Sequence, residues 1–146
     1  MIISVDKENL SQAASIHSIS WKESHRSFCT PDFVAMHTPE RQREYIQSKM
    51  DNGSKFYMLV EEKPVGIVSV KENLIEDLYV LPDEQNRGYG TRLLVFAAGQ
   101  CTGRPALWIL ENNINAKRLY MRMGFRETGR RNAITGVLDE LELALP

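Results

Sequence analysis

The stretch Glu84–Leu94, EQNRGYGTRLL, decides how the fold of this chain is interpreted. It places Arg87, Gly88 and Gly90 directly ahead of an apolar run with helical spacing. A helix N-terminus offers unpaired backbone N–H groups and a partial positive charge, and glycine lets a ligand approach the backbone closely. The stretch therefore predicts either a phosphate cradle or a glycine-rich turn that starts a helix.

Two other phosphate-binding loops do not fit this stretch. The Walker A spacing GxxxxGK[ST] is absent from the chain. A dinucleotide-binding fingerprint would need a third glycine where Leu93 stands. These two mismatches disfavour a nucleotide-phosphate-binding module.

The residues before the loop change from helical to strand-like spacing along the chain. Upstream we expect, in order, a strand at Ile2–Val5, a helix capped by Asp6 or Asn9 that ends near His25, a loop at Ser27–Pro39 with room for one helical turn, and a helix at Glu40–Asp51. Next come predicted strands at Phe56–Val60, Val65–Val70 and Leu74–Leu81, which form an antiparallel meander.

The residues after the loop predict a crossover and a final hairpin. We expect a helix to about Cys101, a strand at Ala106–Leu110, a helix at Ile114–Met123, and a hairpin of Phe125–Arg130 with Val137–Leu145 around Thr135-Gly136. Because a strand–helix–strand unit favours parallel pairing, the meander and the strand at Ala106–Leu110 should meet in a mixed sheet. The fold class is α/β (α+β), with helices on both faces of the sheet.

Composition narrows the classes of function. A chain of 146 residues with 42% hydrophobic residues fits one domain, residues 1–146. Its net charge of -1 favours neither nucleic acid nor an anionic membrane, and no apolar run approaches the ~20 residues that span a bilayer.

The cysteines, Cys29 and Cys101, lie far apart, so we expect a reduced, cytoplasmic setting. The three histidines lack metal-ligand spacing, so we expect no metal.

A second informative stretch is Leu107–Phe125, LWILENNINAKRLYMRMGF. Asn113 stands where a strand ends and a helix begins, so it can cap the helix or hydrogen-bond a ligand at that edge of the sheet. Tyr120 follows two helical turns later on the same face. It is either a core residue or an acid that protonates a leaving group.

Together these stretches resemble the GCN5-related N-acetyltransferase (GNAT) family over roughly residues 55–130. The family's first motif, Q/R-x-x-G-x-G/A, is similar to Gln85–Gly90, which follows the strand that ends in Leu78–Pro82. Its second motif, N-x-x-A-x-x-x-Y-x-x-x-G-F, is matched in register by Asn113, Ala116, Tyr120, Gly124 and Phe125. The resemblance implies a mixed, mainly antiparallel sheet of six to seven strands.

The resemblance also implies acetyl-CoA as co-substrate and an amine as acceptor. It implies a donor site built from the loop Gln85, Asn86, Arg87, Gly88, Tyr89, Gly90 and Thr91, the strand residues Leu78, Tyr79 and Val80, and Asn113. The loop amides would bind the pyrophosphate, and the strand would pair with the pantetheine arm through its backbone. A strand N–H would polarise the thioester carbonyl, and Tyr120 would protonate the departing thiolate.

A protonated amine must lose its proton before it attacks. Glu76 is the leading candidate for the general base, because it lies two residues before Leu78 and should share its face of the strand, whereas Asp77 should point to the opposite face. Glu111 and water remain alternatives. An acyl-cysteine route is disfavoured, since neither cysteine has an evident paired base.

The acceptor side should lie in the N-terminal third. Trp21 and Phe28, with Phe33, could form an apolar wall, and Glu23 and Asp32 could attract a cation. A peptide N-terminus, a lysine side chain, a polyamine and an aminoglycoside-like amine all remain open as acceptors, as do a monomer and a homodimer. The alternative function is a non-catalytic, regulatory acyl-CoA-binding domain.

Overall fold

The computed structural model describes residues 1–134 and 138–146. Its strands are β1 (Ile2–Ser4), β2 (Lys55–Val60), β3 (Pro64–Lys71), β4 (Leu74–Val80), β5 (Ala106–Leu110), β6 (Arg126–Ala133) and β7 (Asp139–Ala144). Its helices are α1 (Leu10–His25), α2 (Pro31–Ala35), α3 (Pro39–Asp51), α4 (Tyr89–Gln100) and α5 (Ile114–Arg122), with a 3-10 turn at Pro82–Glu84.

The strands form a single sheet in the order β1-β2-β3-β4-β5-β7-β6. All neighbours are antiparallel except β4 and β5, which are parallel as the crossover predicts. The prediction of a mixed, mainly antiparallel sheet is therefore confirmed. Each predicted helix and strand is present with its ends shifted by a few residues, and the loop at Ser27–Pro39 contains the one helical turn α2. The predicted turn at Thr135-Gly136, with Val137, lies outside the described residues.

Two apolar layers cover the two faces of the sheet, so the predicted helices on both faces are confirmed. On one face, residues of α4 and α5 such as Leu93 and Tyr120 pack on the central strands. On the other, α1 and α3 contribute Ala13 and Ile46 to a cluster with β2 and β3. No helix of the described residues has the length and apolar character that crossing a bilayer requires.

A β-bulge in β4 changes which side chains face which layer. Ser69 pairs with Glu76 but Ile67 pairs with Tyr79, so two β4 residues oppose one residue of β3. As a result Glu76 and Asp77 both reach Lys49 of α3, while Leu78 packs in the layer under α4. The expectation that Glu76 shares the face of Leu78, with Asp77 opposite, is wrong. Strict alternation fails because the bulge adds one residue.

Strands β4 and β5 separate soon after they meet. In the part of the chain that the structure describes, they pair only at Leu74 and Ala106, although both strands continue toward the same edge of the sheet. We call the space between them, from Leu78 of β4 to Leu110 of β5, the β4–β5 gap. The loop that precedes α4 follows directly from the β4 end of this gap.

The close packing of α4 on the sheet can be tested at Gly66. A Cβ at this position would lie 2.8 Å from Leu93 Cδ1 and 2.9 Å from the backbone oxygen of Tyr79. Because the backbone cannot yield cheaply, we expect Gly66→Ala to lower the free energy of unfolding by about 1–3 kcal/mol in urea denaturation.

Gly99 of α4 provides the matched control, since a Cβ there meets nothing within 4 Å. Gly99→Ala should raise the free energy of unfolding by about 0.5–1 kcal/mol, because alanine is the better helix former. Equal stability of the two variants would contradict the packing described for Gly66.

Candidate active site

The start of α4 presents open backbone donors. Gly88, at φ 83°, turns the chain into the helix, and the first helical bond runs from Arg92 N to Gly88 O at 3.1 Å. The N–H groups of Tyr89, Gly90 and Thr91 therefore precede the helical hydrogen-bond ladder. No side chain of the described residues caps them. The geometry favours a cradle for an anion over a self-capped turn.

The cationic side chains of the loop already have partners. Arg87 forms an ion pair with Glu84 at 3.3 Å, and Arg92 forms one with Glu61. Gln85 donates from Nε2 to Val80 O at 3.1 Å, which ties the loop to the end of β4. The attraction for an anion in this conformation thus comes mainly from backbone N–H groups and the helix dipole.

The backbone of β4 faces the β4–β5 gap at alternate residues. Leu81 N donates to Val65 O of β3 at 2.9 Å. Because hydrogen-bonding direction alternates along an antiparallel strand, the N–H groups of Val80 and Leu78 point away from β3 and into the gap. This is the orientation that an added, strand-like ligand needs in order to pair with β4.

Asn113 and Tyr120 belong to the cap and the body of α5, the helix that follows β5. Tyr120 is 9% exposed and packs in the layer under α4, and burial raises its pKa to about 12. Asn113 accepts a hydrogen bond from Ala116 N at 3.2 Å, so it caps α5 as the first of its two interpretations predicts. Contact of either residue with a ligand stays a prediction.

On the opposite face of the sheet, a buried polar network surrounds Asp77. Its carboxylate accepts hydrogen bonds from His17 Nε2 and Tyr45 Oη, and from Lys49 Nζ and Ser69 Oγ. Burial alone would raise the pKa of Asp77, but the hydrogen bond from His17 and the charge of Lys49 hold it well below its usual value. Asp77 is thus a fixed anion at neutral pH.

The same network lines a pocket of about 280 Å³ between α1, α3 and β4. The lining residues are His17, Trp21, His37, Arg41, Gln42, Tyr45, Asp77 and Tyr79. Of the two predicted acceptor residues, Trp21 lies in this wall, whereas Phe28 is 41% exposed and is not among the lining residues. Trp21 stacks between the rings of His25 and His37, with centroids 3.9 and 3.4 Å away, so its edges rather than its faces meet the pocket.

The carboxylates proposed for proton removal occupy different surroundings. Glu76 is half-exposed and binds Lys49 Nζ at 3.0 Å. Glu111 is held by Arg131 at 2.7 Å and by Asp139 N. Glu140 of β7 was missed by the sequence analysis. Burial and the nearby charge of Glu76 raise the pKa of Glu140.

Sequence analysis also missed the roles of His17, Tyr45, Lys49 and Asp77. An aspartate and a glutamate inside an apolar strand were visible signals, but their donors come from helices far away in the chain. The described residues hold no group of three or more histidines, cysteines or carboxylates arranged for a metal ion. The geometry brings together backbone donors, one buried phenol and a carboxylate network.

A family model described as an acetyltransferase (GNAT) domain matches residues 20–139. No curated protein matches the chain significantly.

Solved structures share its fold at low sequence identity. The PaiA N-acetyltransferase from Thermoplasma acidophilum, in complex with coenzyme A, is 17% identical, with a TM-score of 0.73 over 97% of this chain and 96% of that one. A GCN5-related N-acetyltransferase from Rhodopseudomonas palustris is 19% identical, with a TM-score of 0.76 over 99% and 94%. A ribosomal-protein-alanine N-acetyltransferase from Brucella melitensis is 16% identical, with a TM-score of 0.70 over 99% and 98%.

Proposed function

The chain belongs to the acetyltransferase (GNAT) domain family, and on this premise we propose that it transfers an acetyl group from acetyl-CoA to a primary amine by direct attack. We further propose that residues 1–146 act as one catalytic domain. The observation that carries the proposal is a juxtaposition. The open N–H groups at the start of α4 lie close to the end of β4, since a Cβ at Gly90 would lie 4.0 Å from Val80 Cγ2.

The donor fits this region in two places. The N–H groups of Tyr89, Gly90 and Thr91 would hold the pyrophosphate, since they precede the helical ladder and point along the helix dipole. The backbone of Leu78 and Val80 would pair with the amide-bearing pantetheine arm as a strand does. Coenzyme A bound to the relative from Thermoplasma acidophilum is consistent with this choice of donor.

The reaction needs a polarised carbonyl and a proton for the leaving group. Acetyl-CoA supplies an activated acyl carbon and a thiol as leaving group. Leu78 N–H donates to the carbonyl oxygen and stabilises the negative charge that develops there as the amine nitrogen bonds to carbon. Tyr120 gives its phenolic proton to the sulfur when the carbon–sulfur bond breaks. Because burial raises its pKa to about 12, this phenol remains protonated at neutral pH.

The amine proton must leave on the acceptor side. Glu76 remains the proposed general base, acting directly or through water, because its carboxylate lies beside the bulge and is half-exposed. Lys49 then holds the Glu76 carboxylate in place at 3.0 Å. Proton transfer from the amine to Glu76 and from Tyr120 to the sulfur leaves the amide, free CoA and two residues whose protonation solvent restores.

The acceptor enters, in this proposal, from the pocket that Trp21, Tyr45 and Tyr79 line. Aromatic rings and the hydrogen-bond network around Asp77 line the pocket. The pocket presents no unpaired anion at Asp77, because this carboxylate already forms an ion pair with Lys49. It therefore suits an amine attached to a small or flat group better than it suits a polycation. Phe28 stays a predicted acceptor contact at the mouth.

Release of free thiol from acetyl-CoA is the experiment that tests the proposed function. A panel of a peptide with a free N-terminus, Nα-blocked lysine, a polyamine and an aminoglycoside should contain an amine that raises the rate at least tenfold above the amine-free rate. The same amines, acetylated beforehand, serve as controls. If no amine raises thiol release while CoA still raises the melting temperature, the non-catalytic acyl-CoA-binding function replaces the enzyme. Stabilisation by ATP instead of CoA would reject the donor site.

Tyr120→Phe tests the leaving-group acid. We expect kcat to fall about 10²–10⁴-fold, because the thiolate loses its proton donor, while CoA affinity changes little. Between pH 7 and pH 10 the wild-type kcat should show no decline due to Tyr120, since its pKa is about 12.

Tyr57→Phe is the matched control for this substitution. Tyr57 is equally buried, at 9% exposure, and lies in the same apolar layer on β2. Its loss of a hydroxyl should leave kcat unchanged. If the two variants lose activity equally, or neither does, Tyr120 is not the acid.

A further inference from the structure

Asp77 is the most highly connected side chain of the site. Its carboxylate lies 3.2 Å from His17 Nε2 of α1, 2.9 Å from Tyr45 Oη and 2.8 Å from Lys49 Nζ of α3, and 2.9 Å from Ser69 Oγ of β3. The side chain is 8% exposed. Three elements outside its own strand therefore converge on one carboxylate.

The backbone conformation of Asp77 is also unusual. Its φ of 50° lies in the left-handed region, which costs energy for residues other than glycine and is best tolerated by asparagine and aspartate. It is also a bulge position, because the register changes between the pairs Ser69–Glu76 and Ile67–Tyr79. Asp77 and Leu78 together oppose Val68 of β3.

The bulge decides which way Leu78 faces. Continuing the register of Glu76 without a bulge would pair Leu78 with Ile67 and shift every later β4 residue by one position. A shift of one residue turns each side chain to the other face and each N–H to the other edge. Leu78 N–H would then point to β3 instead of the β4–β5 gap.

We propose that Asp77 is the positioning residue of the donor site. The Asp77 carboxylate anchors the bulge to α1, α3 and β3. The anchored bulge directs Leu78 N–H into the β4–β5 gap, toward the thioester oxygen. This inference rests on the proposed function, because it assumes a thioester in the gap. It adds Asp77 to that function and explains why Leu78 N–H is preorganised, since the hydrogen-bond network around Asp77 fixes it from the opposite face of the sheet.

Asp77 acts through Leu78 rather than as a base. Both carboxylate oxygens already accept hydrogen bonds from cationic or neutral donors. Its pKa, which the hydrogen bond from His17 and the charge of Lys49 hold low against the effect of burial, gives it little tendency to take a proton from an amine. A carboxylate with hydrogen bonds to both oxygens fixes the positions of its donors rather than accepting a proton from substrate.

Amide NMR of the ¹⁵N-labelled full chain tests the proposal without an acceptor. In the wild type, the Leu78 amide proton should resonate further downfield with acetyl-CoA than with CoA, because only the thioester offers it a carbonyl oxygen. Asp77→Asn keeps the size and the tolerance of positive φ but removes the charge. In this variant the difference between the two ligands at Leu78 should vanish, while the shifts of Tyr89–Thr91 on CoA binding persist.

Kinetics provides the second readout. Asp77→Asn should lower kcat about 10–100-fold, as misplacement of one oxyanion donor does, with CoA affinity changed less than about threefold. Asp51→Asn is the matched control, since Asp51 is exposed at the end of α3 and accepts a hydrogen bond from Gln47. It should leave kcat, CoA affinity and the Leu78 resonance as in the wild type.

Each result decides for or against the positioning role. A wild-type Leu78 amide that is identical with CoA and acetyl-CoA, or a folded Asp77→Asn variant with wild-type kcat, overturns it. If Asp77→Asn does not fold, the double variant Tyr45→Phe/Ser69→Ala, which removes two neutral donors and keeps the charges, must lower kcat at saturating acceptor; an unchanged kcat overturns the proposal. Absence of thiol release with every amine would instead reject the proposed function, while the Leu78 comparison still reports on the positioning role.

Discussion

Beyond Leu74, β4 is paired with a strand on only one side in the described part of the chain, and the site depends on this break in pairing. Strand β5 pairs with it at Leu74 and Ala106 alone among the described residues. Backbone N–H and C=O groups inside a sheet require partners, so the β4 edge that faces the β4–β5 gap is suited to a ligand that can act as a strand. The amides of a pantetheine arm have this chemistry.

The other parts of the site are arranged around this edge. Gly88 turns the chain into α4 after the loop that follows β4, and the first turn of α4 lies close to Val80 at the end of that strand. Tyr120 enters from α5 as a buried phenol. Beneath the sheet, the network around Asp77 holds the bulge. In the proposed donor site, backbone geometry thus contributes more than side-chain charge, since Arg87 and Arg92 already have acidic partners.

Local sequence predicts the parts of this arrangement that depend on local physics. The glycine loop, the helix after it, the cap at Asn113 and the parallel crossover all follow from spacing and turn chemistry. The bulge does not follow from local sequence, because the side chains that donate hydrogen bonds to Asp77 lie as far as 60 residues away, at His17. For this reason the sequence placed Glu76 and Asp77 on opposite faces. It predicts Trp21 in an acceptor wall but does not predict that two histidine rings cover the faces of this side chain.

A crystal structure of the chain with acetyl-CoA would show directly whether β4 and α4 hold the donor. We expect the pyrophosphate on the N–H groups of Tyr89, Gly90 and Thr91, and the thioester oxygen at about 3 Å from Leu78 N, the length of a hydrogen bond. Acetyl-CoA bound elsewhere, such as along the exposed side of α5, or a thioester oxygen that makes no contact with the β4 backbone, would contradict this expectation.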